Sequence, residues 1–260
     1  MTDKSVVVTG AASGIGRATC ERLAGNGWQV LAVDYNADLL GWTAEAANVS
    51  SLVADVSSEA DNARIAARAG ELFGGLDAAI FNAGVTGGGT IDQLPFDGFR
   101  RVMEINLFGP VLGIKACLPL LRQRQNAAIV LTASTMGLGG DSSNWAYGAS
   151  KHALVGVVRS LSRELGWEGI RINALCPGLT ETGMTNMIQD MAPAHYEFLR
   201  GNVPLQRWAK PDEQAAVMEF LISPAASYIT GQALAVDGGA IVGTGILPPA
   251  SGPRPVMPDH

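Results

Sequence analysis

The sequence predicts a doubly wound α/β fold, a single domain built on a parallel sheet of about seven strands. Three observations lead there. Short apolar runs alternate with helical patterns along the chain, which is the order of a parallel sheet joined by helical crossovers. Those runs are apolar at successive positions, as in strands covered on both faces. A glycine-rich turn stands between the first strand and the first helix, where such folds bind ligands.

The elements follow in order. SVVVT, Ser5 to Thr9, is the first strand, and a helix runs through Arg17 to Ala24. WQVLAVD gives a second strand ending at Asp34, and SLVAD a third ending at Asp55. A helix over Glu59 to Phe73 precedes LDAAIFNAG, the fourth strand. One long helix covers about Phe99 to Arg124, and AAIVLTAS is the fifth strand. A helix from about Trp145 to Gly166 leads into the sixth strand, IRINALCPG. Helices over about Met184 to Arg200 and Asp212 to Ile222 precede the seventh, ALAVDGG. Residues 1–243 thus form one unit, and the proline-rich stretch 244–260 is expected to be an extended tail.

Composition narrows the function. Of 260 residues, 47% are hydrophobic and 16% charged, enough apolar material for a large core and too little charge for a disordered chain. A net charge of −6 gives no electrostatic support for a nucleic-acid partner, and no basic run suggests a membrane surface. Cys20, Cys117 and Cys176 are widely spaced and read as reduced thiols of a cytoplasmic protein. The start MTDKSVVVTG lacks a signal-peptide pattern. His152, His195 and His260 show no metal-ligand spacing.

Chemistry-bearing residues fall at strand ends. TGAASGIGRA places Gly10, Ser13, Gly14, Ile15 and Gly16 between a strand and a helix, so that backbone can approach a pyrophosphate at a helix N-terminus. Asp34 ends the second strand, where a carboxylate can accept from adenosine ribose hydroxyls and repel a 2′-phosphate. Asp55, followed by Val56, reads equally as a turn residue or an adenine-side contact. Asn82, Ala83 and Gly84 end the fourth strand. Asn106 interrupts a helical pattern that asparagine disfavours, either as a bend or as a functional group. Ser134 ends the fifth strand, as a cap or as a hydroxyl over the next helix. Tyr147 and Lys151 share a helix face one turn apart. There the ammonium can lower the phenol pKa and fit it for acid/base work.

Together these residues resemble the short-chain dehydrogenase/reductase family. The resemblance covers about Lys4 to Ala240 and rests on Thr9 to Gly16, Asn82 to Gly84, Asn106, Ser134, and Tyr147 with Lys151. It also includes Pro177–Gly178 and the VDGG at Val236 to Gly239. It implies a Rossmann-like fold and a hydride transfer between a secondary alcohol and NAD. Tyr147 is then the acid/base. Lys151 lowers its pKa and binds the nicotinamide ribose, Ser134 bonds the substrate oxygen, and Asn106 helps hold a water. Val56, Pro177, Gly178, Thr180 and Thr182 join the cofactor site, Thr182 at the carboxamide. The segment 180–207 is the expected substrate lid, with Met184 and Met187 on it. Asp141 and Asn144, in the loop after Ser134, suit a hydroxylated substrate such as a sugar, polyol or cyclic diol. A homotetramer is the implied assembly. The alternatives are a 3-oxoacyl thioester reductase, whose usual NADPH Asp34 opposes, and a non-catalytic dinucleotide-binding regulator on the same fold.

Overall fold

The computed structural model of the chain describes residues 4–140, 142, 144–183, 185 and 192–242. Its strands are β1 (Ser5–Thr9), β2 (Gln29–Asp34), β3 (Val49–Val53), β4 (Ala78–Phe81), β5 (Ala128–Thr132), β6 (Arg171–Pro177) and β7 (Ala233–Val236). They form one sheet in the order β3–β2–β1–β4–β5–β6–β7, with every neighbouring pair parallel. The chain order reverses between β1 and β4, and the crevice beyond their carboxyl ends is the position where such sheets take ligands.

The helices are α1 (Gly14–Gly25), α2 (Glu59–Phe73), α3 (Phe96–Met103), α4 (Gly109–Leu121), α5 (Trp145–Leu165), α6 (Pro193–Gly201) and α7 (Pro211–Ile222). Strand side chains alternate between two apolar cores. Val7, Leu31, Ala79, Ile129 and Ile172 face one, shared with Ile65, Ile114 and Leu154. Val6, Val30, Ile80 and Val130 face the other, shared with Cys20, Leu23 and Met218. Burial on both sides is why the strands read as unbroken apolar runs.

The sequence boundaries need three corrections. β3 stops at Val53, not Asp55, because its only neighbour β2 ends where Asp34 pairs with Val53. An unexpected 3₁₀ stretch, Asp38–Glu45, fills the β2–β3 connection. The long helix spans Phe96–Leu121 but is broken by a π turn, Glu104–Phe108, centred on Asn106. By length and composition this rod could cross a bilayer; here it packs against α2, β4 and α5. Of the helix expected over 184–200, the described residues give α6 from Pro193, a favoured first helical residue. Met184 and residues 186–191 lie outside the described residues, as does the tail from Gly243.

One contact fixes the register of α4. A Cβ at Gly113 would come within 2.2 Å of the Phe81 ring. Only a glycine there lets the helix lie on β4 at this distance.

Candidate active site

The glycine-rich turn is built by removing side chains. Gly10 and Gly14 hold φ of +69° and +53°, a region that favours glycine. A Cβ on Gly10 would stand 2.8 Å from Ala83 Cα, and one on Gly16 would stand 2.0 Å from the Gly10 carbonyl oxygen. Asn82 staples this turn to the sheet: its Nδ2 donates to Gly10 O at 3.4 Å, and its Oδ1 accepts from Thr132 Oγ1 at 3.0 Å. Ser13 occupies the N-cap of α1 without a side-chain cap bond. The first amides of α1 therefore face a cavity lined by Ser13, Gly14 and Ile15, a favourable position for an anion.

That cavity, of about 360 Å³, continues past Asn82, Ala83 and Gly84 to Ser134, Tyr147 and Lys151, and to Pro177, Gly178, Thr180 and Thr182. A second cavity, of about 580 Å³, shares Gly10, Asp34, Tyr35, Ala83 and Gly84 with it and adds Asp55 and Val56. The residues expected to hold a dinucleotide thus lie along one cleft. Gly16 supports the turn from beneath.

Asp34 is clasped by backbone. Its Oδ2 accepts from Ala12 N at 3.0 Å, and its Oδ1 accepts from Asn36 N at 3.0 Å. Arg17, the nearest cation in sequence, is engaged elsewhere: its guanidinium pairs with Glu21 at 2.8 Å and lies 5.4 Å from the Trp42 ring centre. Asp55 sits beyond the end of β3 and takes Ser57 N at 2.9 Å and Ser57 Oγ at 2.7 Å, which holds its carboxyl below the usual range. This turn residue also lines the second cavity.

At the other end, β5 delivers Ser134 and α5 delivers Tyr147 and Lys151. Ser134 is buried and extended, and its Oγ accepts from Met136 N at 3.1 Å. Burial raises the Tyr147 phenol above its ordinary pKa and Cys176 adds to the rise, while the Ser134 hydroxyl opposes it. The direction is opposite to the one the Tyr–Lys spacing suggests. Lys151 lies beside the ring. Its Nζ is buried, donates to Thr132 O at 2.7 Å, and lies 5.4 Å from the centre of the Tyr147 ring. Burial pulls the Lys151 ammonium down to about 8, and pushes the Cys176 thiol up to about 11.

Asn106 is fully buried and lines neither cavity. Its Oδ1 accepts from Val85 N at 2.8 Å, and its Nδ2 donates to Val85 O at 2.9 Å and to Ser150 Oγ at 3.1 Å. Both amide hydrogens are spent within the protein, so none is left to donate to a water. The wide π turn is a frequent device at functional sites. Gly84 lets the strap pass: a Cβ there would lie 3.3 Å from Asn106 Oδ1 and 3.4 Å from Lys151 Nζ.

The ends of the expected lid meet. Ala209 N donates to Leu179 O at 2.9 Å and Glu181 N to Ala209 O at 2.9 Å. Thr185 Oγ1 accepts from Thr182 N at 2.9 Å and donates to Thr180 O. The Tyr196 and Trp208 rings, 4.6 Å apart, anchor α6. Asn144 stands at the N-cap of α5 and lines neither cavity. Asp141, Met184 and Met187 lie outside the described residues. Thr132, Ser150 and Thr185 escape the sequence reading because a single hydroxyl carries no spacing signal.

Comparison with known proteins gives the family. Residues 10–240 match the family described as enoyl-(acyl carrier protein) reductase. The chain is 36% identical over 244 residues to 2,5-dichloro-2,5-cyclohexadiene-1,4-diol dehydrogenase of Sphingobium indicum, covering 92% of this chain and 97% of that one. It belongs to the short-chain dehydrogenase/reductase family. Levodione reductase of Leifsonia aquatica is a 37% identical member, with 92% and 94% covered. Meso-2,3-butanediol dehydrogenase of Serratia marcescens is 35% identical, with 94% and 96% covered. Two solved members share the fold. A 3-ketoacyl-(acyl-carrier-protein) reductase from Brucella melitensis complexed with NADH has a TM-score of 0.86 at 30% identity, covering 93% and 100%. An actinorhodin polyketide ketoreductase variant with NADPH has 0.88 at 32%, covering 92% and 97%. As a short-chain dehydrogenase/reductase, this protein is an oxidoreductase of CH–OH groups that uses a nicotinamide dinucleotide.

Proposed function

We propose that the protein oxidises a secondary alcohol, or reduces the matching ketone, with NAD as its cofactor and a cyclic diol, polyol or sugar as its substrate class. The observation that carries this reading is the shared cleft, with Asp34 at one end and Ser134, Tyr147 and Lys151 at the other. Relatives named for a cyclic diol and for butanediol support the substrate class.

NAD, when bound, supplies the hydride acceptor at nicotinamide C4. The chain's own residues do the rest. The glycine turn and the α1 amides take the pyrophosphate, Asp34 the adenosine ribose, and Thr182 the carboxamide. Ser134 Oγ holds the substrate oxygen beside Tyr147, and the phenolate oxygen removes the alcohol proton. Burial opposes that phenolate, so its formation would fall to the Lys151 charge, which the oxidised cofactor would reinforce when bound. Lys151 also holds the nicotinamide ribose. The chain assembles as a homotetramer, partly through the Phe96–Leu121 rod and α5. Light scattering should give the tetramer mass; a monomer at micromolar concentration would refute that assembly.

A second reading, a 3-oxoacyl thioester reductase, draws on the family description and on the Brucella melitensis neighbour. A screen that follows NADH separates the two. Turnover with cyclic diols, polyols or sugars supports the first reading; turnover confined to acetoacetyl thioesters replaces it with the second.

A further inference from the structure

We propose that Ser150 is a positioning residue for the Tyr147–Lys151 pair, tying α5 to the π turn through Asn106. This rests on the acid/base reading of Tyr147 given above.

Ser150 is fully buried. Its Oγ donates to the Tyr147 carbonyl at 2.7 Å and accepts from Asn106 Nδ2 at 3.1 Å. In the α-helical ladder that same carbonyl takes the amide of Lys151, four residues on. The hydroxyl therefore sits on the peptide group that links the two members of the pair. A serine bonded back to its own helix is a poor helix residue and tends to bend it, and alanine would suit a buried interior position better. The second bond, from Asn106, is what an isolated helix would not require.

The hydrogen-bond accounting closes. Asn106 spends one Nδ2 hydrogen on Val85 O and the other on Ser150, while Oδ1 takes Val85 N. Removing the Ser150 hydroxyl leaves an amide hydrogen buried without an acceptor, the costly kind of loss. The geometry also joins this network to the ammonium. A Cβ on Gly84 would lie 3.3 Å from Asn106 Oδ1 and 3.4 Å from Lys151 Nζ, so segment 84–85, the π turn and α5 meet at one point. Slack between the π turn and α5 would move Lys151 relative to Thr132 O and to the phenol. Burial, Ser134 and Cys176 act on that phenol, and the Lys151 ammonium stands 5.4 Å from the centre of its ring.

The test reads the phenol directly. Ultraviolet difference titration in saturating NAD, with Tyr147→Phe as the blank, isolates the ionisation of Tyr147 from the other tyrosines. In Ser150→Ala the midpoint should rise by about half a unit or more, because the ammonium no longer holds its place. Asn106→Ala should give a similar rise, and the double variant should exceed the larger single by no more than about 0.2 units, the mark of two residues acting as one. If Ser150→Ala does not fold, Ser150→Cys, of the same shape but a weaker hydrogen-bonder, carries the same measurement. A midpoint unchanged in the Ser150 variant, or shifts that add in the double variant, overturns the proposal. If wild type shows no phenol titrating below the free value of about 10, the acid/base reading itself fails, a result distinct from the other two.

Discussion

The two ends of the cleft are built by opposite means. Around β1 and β2 the site is made by taking side chains away: Gly10, Gly14 and Gly16 leave backbone against backbone, and even Asp34 is held by main-chain amides. Around β5 and α5 it is made by burying polar groups that a core would normally refuse. Asn106, Ser150 and Lys151 are each 2% exposed or less, and each is kept by a specific partner. The first strategy tolerates no added atom; the second tolerates no missing bond. Binding and chemistry should therefore fail separately.

The sharpest separation comes from the phenol. Tyr147→Phe should lower kcat by about a hundredfold to ten-thousandfold while leaving NAD affinity nearly intact, because only the proton carrier is lost; stopped-flow turnover beside nicotinamide fluorescence reads both quantities. Activity within tenfold of wild type would collapse the distinction between the two ends. Gly16→Ala should do the reverse. Its methyl meets the Gly10 carbonyl at 2.0 Å, and overpacking of this kind costs about 1–3 kcal/mol, so NAD affinity should fall by about tenfold to a hundredfold.

Asp34→Ala sharpens the contrast within the binding end. The carboxylate would meet a 2′-phosphate at close range, so wild type should favour NAD by about tenfold or more in kcat/KM. Yet the same carboxylate holds Ala12 and Asn36, so the alanine variant should narrow the preference mainly by weakening NAD. Equal kcat/KM for the two cofactors in wild type would place the ribose elsewhere. The smallest expected effect concerns stability. Lys151 falls from 10.5 to about 8 through burial, so below pH 8 both folded and unfolded states carry the charge, and the folded state bears its desolvation cost. Between about 8 and 10.5 the unfolded chain binds more protons, and stability rises with pH. Lys151→Met should therefore be inactive yet more stable than wild type by about 1–3 kcal/mol near pH 7. That advantage should shrink toward pH 10 in denaturant titrations. An advantage independent of pH would show that the ammonium is not desolvated.

What was legible in the sequence follows the same division. A glycine forced by backbone contact sits at a fixed offset from a strand and a helix, so Gly10, Gly14, Gly16 and Asp34 can be read from spacing alone. The helical pair Tyr147–Lys151 is legible for the same reason. Partnerships between distant segments leave no spacing. Nothing near Asn106 in sequence announces Val85 or Ser150, and Thr132 looks like any strand residue until its carbonyl meets Lys151. The β3 boundary was misplaced because an edge strand ends where its neighbour does, which composition does not record. The direction of the Tyr147 shift depends on burial, which the i, i+4 rule does not contain.

The π turn at Glu104–Phe108 also bears on how the gene can change length. Such a turn holds one residue more than the regular ladder needs. A one-residue deletion within it can therefore be taken up by closing the turn to a plain helix, whereas a deletion just after it, between 109 and 112, would rotate every later side chain of α4 by about 100°. Gly113 would then turn away from Phe81, and a bulkier neighbour would face the ring where a Cβ already comes within 2.2 Å. Substitutions along this rod can be absorbed one side chain at a time, whereas a one-residue insertion or deletion after the π turn shifts the rest of α4 against the sheet. Length variation among descendants of this chain should therefore be absent from 109–121 and collect in surface connections such as 86–92.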